Sequence, residues 1–347
     1  MTTNKKIWKS IDLFAGIGGM RLGFEKAFSD SISTTFVSEW DRYAQKTYLA
    51  NFCDTKFIAG DITDEENQKL IKPFDICLAG FPCQAFSMAG KRQGFEDHHK
   101  GKSRGTLFFE VAKICSKFKP AVIFCENVKG LLSHDNKKTF AVIEQEFKNI
   151  GYIPKVAVLN SKNFGVPQNR ERLYIVAFRE DLDISGFEFP SGNEDTNVSL
   201  LDIREESAVP AKYYLSDVYL ETLRRHKEHH KSKGQGFGYV VRDWNDISGT
   251  VLCSSMGRER NLVVDFRQKN LIPTTHIKGS IDKEGIRKLT PREFARLQGF
   301  SDEFKFVVSD AQLYKQFGNT VTINVVEAIA RNIRTVLEFN YLTGKIT

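Results

Sequence analysis

Cys83 stands in LAGFPCQAFSMAG, residues 78–90, directly after a proline, at the end of an apolar run and ahead of small and polar residues. A cysteine so placed can be filler, a metal ligand, half of a disulfide or a nucleophile. The six cysteines (Cys53, Cys77, Cys83, Cys115, Cys125, Cys253) are scattered, with no C-x-x-C pair and no histidine at zinc-ligand spacing, which argues against a disulfide framework or a metal. Cys77 in FDICLAG and Cys125 in AVIFCEN read as core residues. The neighbours of Cys83 do not suit a strand interior, so filler and nucleophile stay open.

A second group of residues could hold a ligand. In DLFAGIGG, residues 12–19, Gly16, Gly18 and Gly19 let the chain turn sharply between a strand and a helix and approach a ligand closely. The spacing is G-x-G-G, not the G-x-G-x-x-G of a dinucleotide site. The next strand ends in SEWD, where Glu39 can accept hydrogen bonds from both hydroxyls of a ribose and Trp40 offers an aromatic face to adenine or to a sulfonium cation. Asp61 in AGDIT is expected to cap a third strand at the same edge. Each acid alone could equally be a solvated helix cap; together, at consecutive strand ends, they form a constellation.

The elements that must position these residues alternate. KSIDLFAG, TTFVSEW, FDICLAGF and AVIFCENV read as strands, and GGMRLGFEKAF, DRYAQKTYLANF and GTLFFEVAKICSKF as helices, which implies a parallel sheet with helices on both faces. After a helix around KTFAVIEQEFKNIG, the strands KVAVLN and RLYIVAF are expected to close the sheet as a hairpin. FPSGNEDTNVS reads as a linker. Beyond it the chain has a charged helical patch, VYLETLRRHKEHHKSK, glycine-spaced loops and short strands, which predicts a smaller, loop-rich domain. LTPREFARLQGF opens with proline at a helix start, and the chain ends in an amphipathic helix.

The 347 residues allow two lobes, and a hydrophobic fraction of 41% with 27% charged residues excludes disordered and fibrous classes. The net charge of +7 favours an anionic partner, nucleic acid first, against the alternative of a merely basic protein. No stretch approaches the roughly 18 apolar residues of a membrane span, so a cytoplasmic location is expected and no membrane partner.

GFPCQAFSMAG, ENVKG, QNRERLYIVAF, LTPREFARLQGF and QFGNTV follow one another in that order. In these blocks the chain resembles the cytosine-C5 DNA methyltransferases of bacterial restriction-modification systems, over nearly its whole length except roughly residues 190–287. The resemblance implies an α/β fold, a Rossmann-like mixed sheet that binds S-adenosylmethionine, with a smaller loop-rich target-recognition domain. Residues 1–189 would be the catalytic and cofactor-binding domain and 190–287 the target-recognition domain, with 288–347 returning to the large domain. The cofactor would be S-adenosylmethionine, leaving as S-adenosylhomocysteine, with no metal. Its pocket would comprise Asp12, Phe14, Gly16, Gly18, Gly19, Glu39, Trp40, Asp61, Ile62, Gly80 and Pro82, closed by Asn319.

The family's chemistry makes sense of the remaining residues. Carbon 5 of cytosine is a poor nucleophile; the Cys83 thiolate is implied to add to carbon 6 and make carbon 5 electron-rich. Glu126 is implied to hold a proton at N3, a role its apolar flank VIFC favours. Arg170 and Arg172, two apart on one strand and therefore on one face, are implied to hold the cytosine carbonyl or the flanking phosphate. The base must be rotated out of the duplex. The family's closing loop would run from Ser87 to Arg104, where this chain carries an additional basic HHKGKS, either further phosphate contact or a tolerated extension. Gln84, Asn127, Gln168 and Thr250 are implied to meet DNA. Candidate reading loops are KGQGFGY, where Gln235 could fill the gap left by the flipped base, and the stretch from Gly249 to Leu262, where Arg258 and Arg260 could read guanine or bind phosphate.

Three readings follow: a methyltransferase of double-stranded DNA, expected to be a monomer with a cognate restriction endonuclease as functional partner; a transfer-RNA methyltransferase of the same catalytic family, whose usual C-F-T motif is missing here; and a nucleotide-binding module without catalysis, against which intact Cys83, Glu126 and Arg172 argue.

Overall fold

The computed structural model describes residues 6–82, 98–99, 102–103, 107–253, 259–268 and 279–347. The chain divides into two compact units, one of Met1–Asn160, Glu171–Gly192 and Val321–Thr347, the other of Ser161–Arg170 and Asn193–Thr320.

The first unit is built on a six-stranded mixed sheet. Its strands are β1 (Trp8–Leu13), β2 (Ile32–Ser38), β3 (Ile76–Ala79), β4 (Val122–Val128), β5 (Tyr152–Asn160) and β6 (Glu171–Arg179), in the spatial order β2-β1-β3-β4-β6-β5. The first four run parallel, and β6 lies antiparallel between β4 and β5. The expected hairpin therefore closes the sheet, with its second strand inserted on the inside. β3 is buried at every residue and β4 over its first four, the near-continuous apolar pattern of strands covered on both faces.

Helices α1 (Gly19–Phe28), α2 (Arg42–Asn51), α3 (Glu65–Lys69), α4 (Leu107–Phe118) and α5 (Lys138–Asn149) follow in chain order. On one face Phe108 and Ile114 of α4 and Ile143 and Phe147 of α5 join Cys77, Ile123 and Cys125 in a single apolar cluster. The two sheet cysteines are thus core residues, and burial pushes both thiols up from their ordinary range. On the other face Phe24 of α1 meets Phe124 edge-on at 5.2 Å.

The second unit contains a small sheet of β7 (Val241–Arg242), β8 (Leu262–Val264) and β9 (Ile286–Lys288), helix α6 (Asp217–Ser232), and then α7 (Pro291–Leu297) and α8 (Asp310–Asn319). Leu215, Leu220, Leu262 and Ile286 form a core there. The expected boundary at residue 288 shifts: residues 288–320 group with this unit, and the return to the first begins at Val321 with the helix α9 (Ile323–Leu342). The reason is polar. Arg287 on β9 is fully buried between Asp265, at 2.9 Å, and Glu293 of α7, at 2.8 Å. Glu293 also completes a capping box with Thr290, so α7 is fastened to the small sheet through one guanidinium.

No helix among the described residues is long and apolar enough to cross a membrane. The added basic segment contributes a short antiparallel ladder, His98–His99 against Lys102–Ser103.

Candidate active site

Three segments meet at the carboxyl edge of the first unit's sheet. The Ala15 N–H donates to the Ser38 carbonyl, the Glu39 N–H to the Ala59 carbonyl, and the Ser38 hydroxyl to the Gly60 carbonyl, at 3.0, 2.9 and 2.9 Å. Asp61 does not cap a strand as expected: its segment pairs with Ser38 through a single bridge at Ala59, too short to continue the ladder. Its Oδ1 instead accepts the N–H and hydroxyl of Thr63, closing a local turn.

The glycine turn itself is conformationally demanding. Phe14, Gly16 and Gly18 all have positive φ, and a Cβ at Gly18 would lie 2.3 Å from the Phe52 ring. A Cβ at Gly16 would meet nothing within 4 Å, so the turn opens onto space at that point. The Gly16 N–H donates to Glu39 Oε2 at 2.8 Å and the Asp41 N–H to Oε1 at 2.7 Å. The Trp40 backbone also hydrogen-bonds this carboxyl. Burial raises the Glu39 carboxyl, against the pull of these N–H groups. Trp40, next in sequence, is 60% exposed. An open glycine turn, a fixed carboxyl and an exposed indole fit the ribose and base of a nucleoside.

Asp12 and Ile62 lie deeper than expected of ligand contacts. Ile62 is in the apolar cluster beneath the sheet edge. Asp12 is 1% exposed and accepts from the Tyr48 hydroxyl at 3.2 Å. Burial pushes its carboxyl up to about 7, against the Arg21 guanidinium and the Tyr48 hydrogen bond. Arg21, also buried, bonds Glu25, Thr55 and Asp54 and lies over the Phe52 ring. The turn thus rests on a polar network that the sequence did not reveal, because its members are spread over residues 12–55.

Glu126 and Asn127 stand at the end of β4. In the ladder Val128 faces Arg172, which puts Arg172 diagonally across from Glu126 on the same side of the sheet. Arg172 Nε lies 3.1 Å from Glu126 Oε1, both side chains largely buried. Asn127 is 1% exposed; its Nδ2 donates to the Phe81 carbonyl at 3.2 Å and its Oδ1 accepts the Val128 N–H. It holds the GFP segment to the end of β4. Gly80 leaves room for Met20 of α1, whose Cε would be 3.1 Å from an added Cβ. Gly19 starts α1, and Pro82 closes the described part of this segment. Cys83, Gln84, Ser87, Arg104 and Arg258 lie outside the described residues.

QNRER divides between the units. Arg170 does not share a strand face with Arg172. It belongs to the second unit, 2% exposed, and donates to the carbonyls of Val251, Gly318 and Thr320. Gln168, fully buried, donates to the Leu297 carbonyl and Gln298 Oε1 and accepts from the Val251 N–H. Both act as internal ties of the second unit. The R-x-R spacing implies one face only for a strand that includes Arg170, and this strand begins at Glu171.

Elsewhere in the second unit, Gln235 is exposed and its Oε1 lies 2.7 Å from His230 Nδ1. Arg260 stands over the exposed Phe237 ring at 5.7 Å, so the two candidate reading stretches meet. The Thr250 hydroxyl donates to the Asn169 carbonyl. Asn319 is exposed at the end of α8.

Comparison with known proteins agrees with the motif order. The C-5 cytosine-specific DNA methylase family matches residues 8–335. The Type II methyltransferase M.HpaII of Haemophilus parainfluenzae is 52% identical over 326 residues, 93% of this chain and 88% of its own. M.HhaI of Haemophilus parahaemolyticus is 38% identical over 340 residues, 95% of each chain. The methyltransferase EhMeth of Entamoeba histolytica shares the fold at a TM-score of 0.71 and 20% identity, covering 96% of this chain and 99% of its own. The chain belongs to the C-5 cytosine-specific DNA methylase family and is a DNA (cytosine-5-)-methyltransferase.

Proposed function

We propose that the enzyme methylates carbon 5 of a cytosine rotated out of a short, specific duplex site, through a transient bond between Cys83 Sγ and carbon 6, and that it thereby protects the DNA of its host from a cognate endonuclease. The observation that carries the reading is the pairing of Glu126 with Arg172 at the end of β4, in a unit whose GFP segment is tied to Asn127 and leads directly to Cys83.

S-adenosylmethionine, when bound, supplies a methyl group made electrophilic by its sulfonium. Gly16, Glu39 and Trp40 would hold its nucleoside portion. The Cys83 thiolate adds to carbon 6 while Glu126 delivers a proton to N3, so the ring becomes a neutral enamine with electron density at carbon 5. Arg172 holds the Glu126 carboxyl and would donate to the base carbonyl. Once carbon 5 carries the methyl group, a base removes its proton, the electron pair restores the ring double bond as the Cys83 sulfur leaves as thiolate, and N3 returns its proton to the Glu126 carboxylate.

The test offers labelled S-adenosylmethionine with unmodified duplex DNA or with transfer RNA, to the enzyme and to Cys83→Ser. Label in duplex DNA, lost by at least about 10³-fold in the variant, is the expected result. Label in transfer RNA alone would point to the RNA branch, and label in neither would leave a binding module. A duplex carrying 5-fluorocytosine, which cannot lose a proton from carbon 5, should trap the enzyme covalently; absence of that adduct overturns the thiolate step.

A further inference from the structure

Both ends of the 249–262 stretch return to one side chain. Asn261 is fully buried, its Oδ1 accepts the Gly249 N–H at 2.7 Å, and its Nδ2 donates to the Gly249 carbonyl at 3.3 Å. One carboxamide thus satisfies both backbone groups of a residue twelve positions earlier, as a ladder partner would.

The outgoing side is secured independently. Ser248 and Gly249 pair in parallel with Gln168 and Asn169, and the N–H and hydroxyl of Ser248 both donate to the Pro167 carbonyl. Thr250 donates to Asn169, the Val251 N–H to Gln168, and Arg170 donates to the Val251 carbonyl. A Cβ at Gly318 would fall 2.3 Å from the Cys253 nitrogen, so that backbone packs directly against this segment. On the returning side the Glu259 carboxyl, 6% exposed as a residue, accepts from the Tyr219 hydroxyl at 2.8 Å. A surface connection that only joins two strands needs no such attachment, since loops ordinarily tolerate motion and change of length. Two anchored ends, with Arg260 exposed between them, are what a presenting platform requires.

We propose that Asn261 is a positioning residue for target recognition. By clasping Gly249 it fixes where residues 250–253 and 259–260 stand toward the DNA, so discrimination between target and near-target sequences depends on its carboxamide and cofactor affinity does not. The proposal rests on the reading that this stretch contacts DNA.

The experiment uses the full chain. Plasmid DNA is methylated by wild type, Asn261→Ala and Asn261→Asp, and bisulfite sequencing gives the rate at the preferred site and at sites differing by one base pair. Affinity for S-adenosylmethionine and hydrogen exchange in 250–253 and 259–260 are measured alongside. Asn261→Ala should lower the ratio of cognate to near-cognate methylation about tenfold, within the range that one mismatch ordinarily costs. Cofactor affinity should stay within about twofold, and amide exchange should rise. Asn261→Asp, which keeps the acceptor and loses the donor, should fall between; it carries the test if the alanine variant does not fold. Unchanged discrimination with faster exchange would mean that the clasp exists but the stretch does not read DNA, overturning the underlying reading and the proposal with it. Unchanged discrimination with unchanged exchange would overturn the clasp alone.

Discussion

Arg170 donates to three main-chain carbonyls from a site 2% exposed, while Arg172, two residues on, stands 3.1 Å from Glu126. Removing the first leaves buried carbonyls short of a charged donor, at a cost of about 1.5–3 kcal/mol for even one such bond. Arg170→Ala should therefore lower thermal stability by about 3 kcal/mol or more, read by calorimetry. Arg172→Ala should leave the melting transition within about 1 kcal/mol of wild type but slow single-turnover methylation by about 10² or more, as loss of a charge-positioning donor does. The opposite pattern would return Arg170 to the chemistry. Asp12 allows a prediction with a definite sign. Its folded-state value is raised from an ordinary 3.8 to about 7, so between those values the folded protein holds a proton that the unfolded chain releases. The stability that this proton contributes is fully present below about pH 4 and lost as pH rises through 7. Asp12→Asn, which keeps an acceptor for Tyr48 and cannot ionise, should match wild type below about pH 4 and exceed its melting temperature by several degrees at pH 8. A difference independent of pH would show that Asp12 is ionised throughout.

The elements that place these residues were legible in proportion to how local their causes are. β1 to β4 announce themselves as apolar runs, and the hairpin of β5 and β6 was visible in KVAVLN and RLYIVAF. The insertion of β6 between β4 and β5 was not, because strand order is decided by which faces remain to be covered. The return of the last helix to the large unit followed from the resemblance, but its contact with α1 did not: a Cβ at Gly23 would lie 2.6 Å from Val326 Cγ1, so a glycine inside a helix is explained only by a helix three hundred residues later. Of the site, the parts that depend on sequence-adjacent residues, the glycine turn with Glu39 and the position of Glu126, stood out early. Those that depend on burial did not. Gln168, Arg170 and Asn127 belong to motifs that suggest contact with DNA, yet each bonds main-chain groups within its own unit, and neither spacing nor composition distinguishes an inward-facing arginine from an outward-facing one.

Across the whole molecule, the net charge of +7 is modest against 50 lysines and arginines, so affinity for a polyanion depends on where the cations stand and how many are free of carboxylates. Many of the arginines are engaged: Arg21 with Asp54, Arg267 with Asp265, Arg287 with Glu293, Arg296 with Asp302. Arg260 is exposed, and its guanidinium faces an aromatic ring. Each cation that neutralises a phosphate releases condensed counterions, so log affinity for duplex DNA should fall linearly with log salt, by about 0.9 per contact. For about six such contacts the affinity drops about 10³-fold between 50 and 200 mM salt. If Arg260 is one of them, Arg260→Ala should reduce the slope by close to 1 and weaken cognate and unrelated duplexes alike. If it reads a guanine edge instead, the slope should hold and the loss, about 1–3 kcal/mol, should fall on the cognate duplex alone. Titrating both duplexes across that salt range separates the two roles, and an affinity indifferent to salt would remove the electrostatic account of binding for this chain.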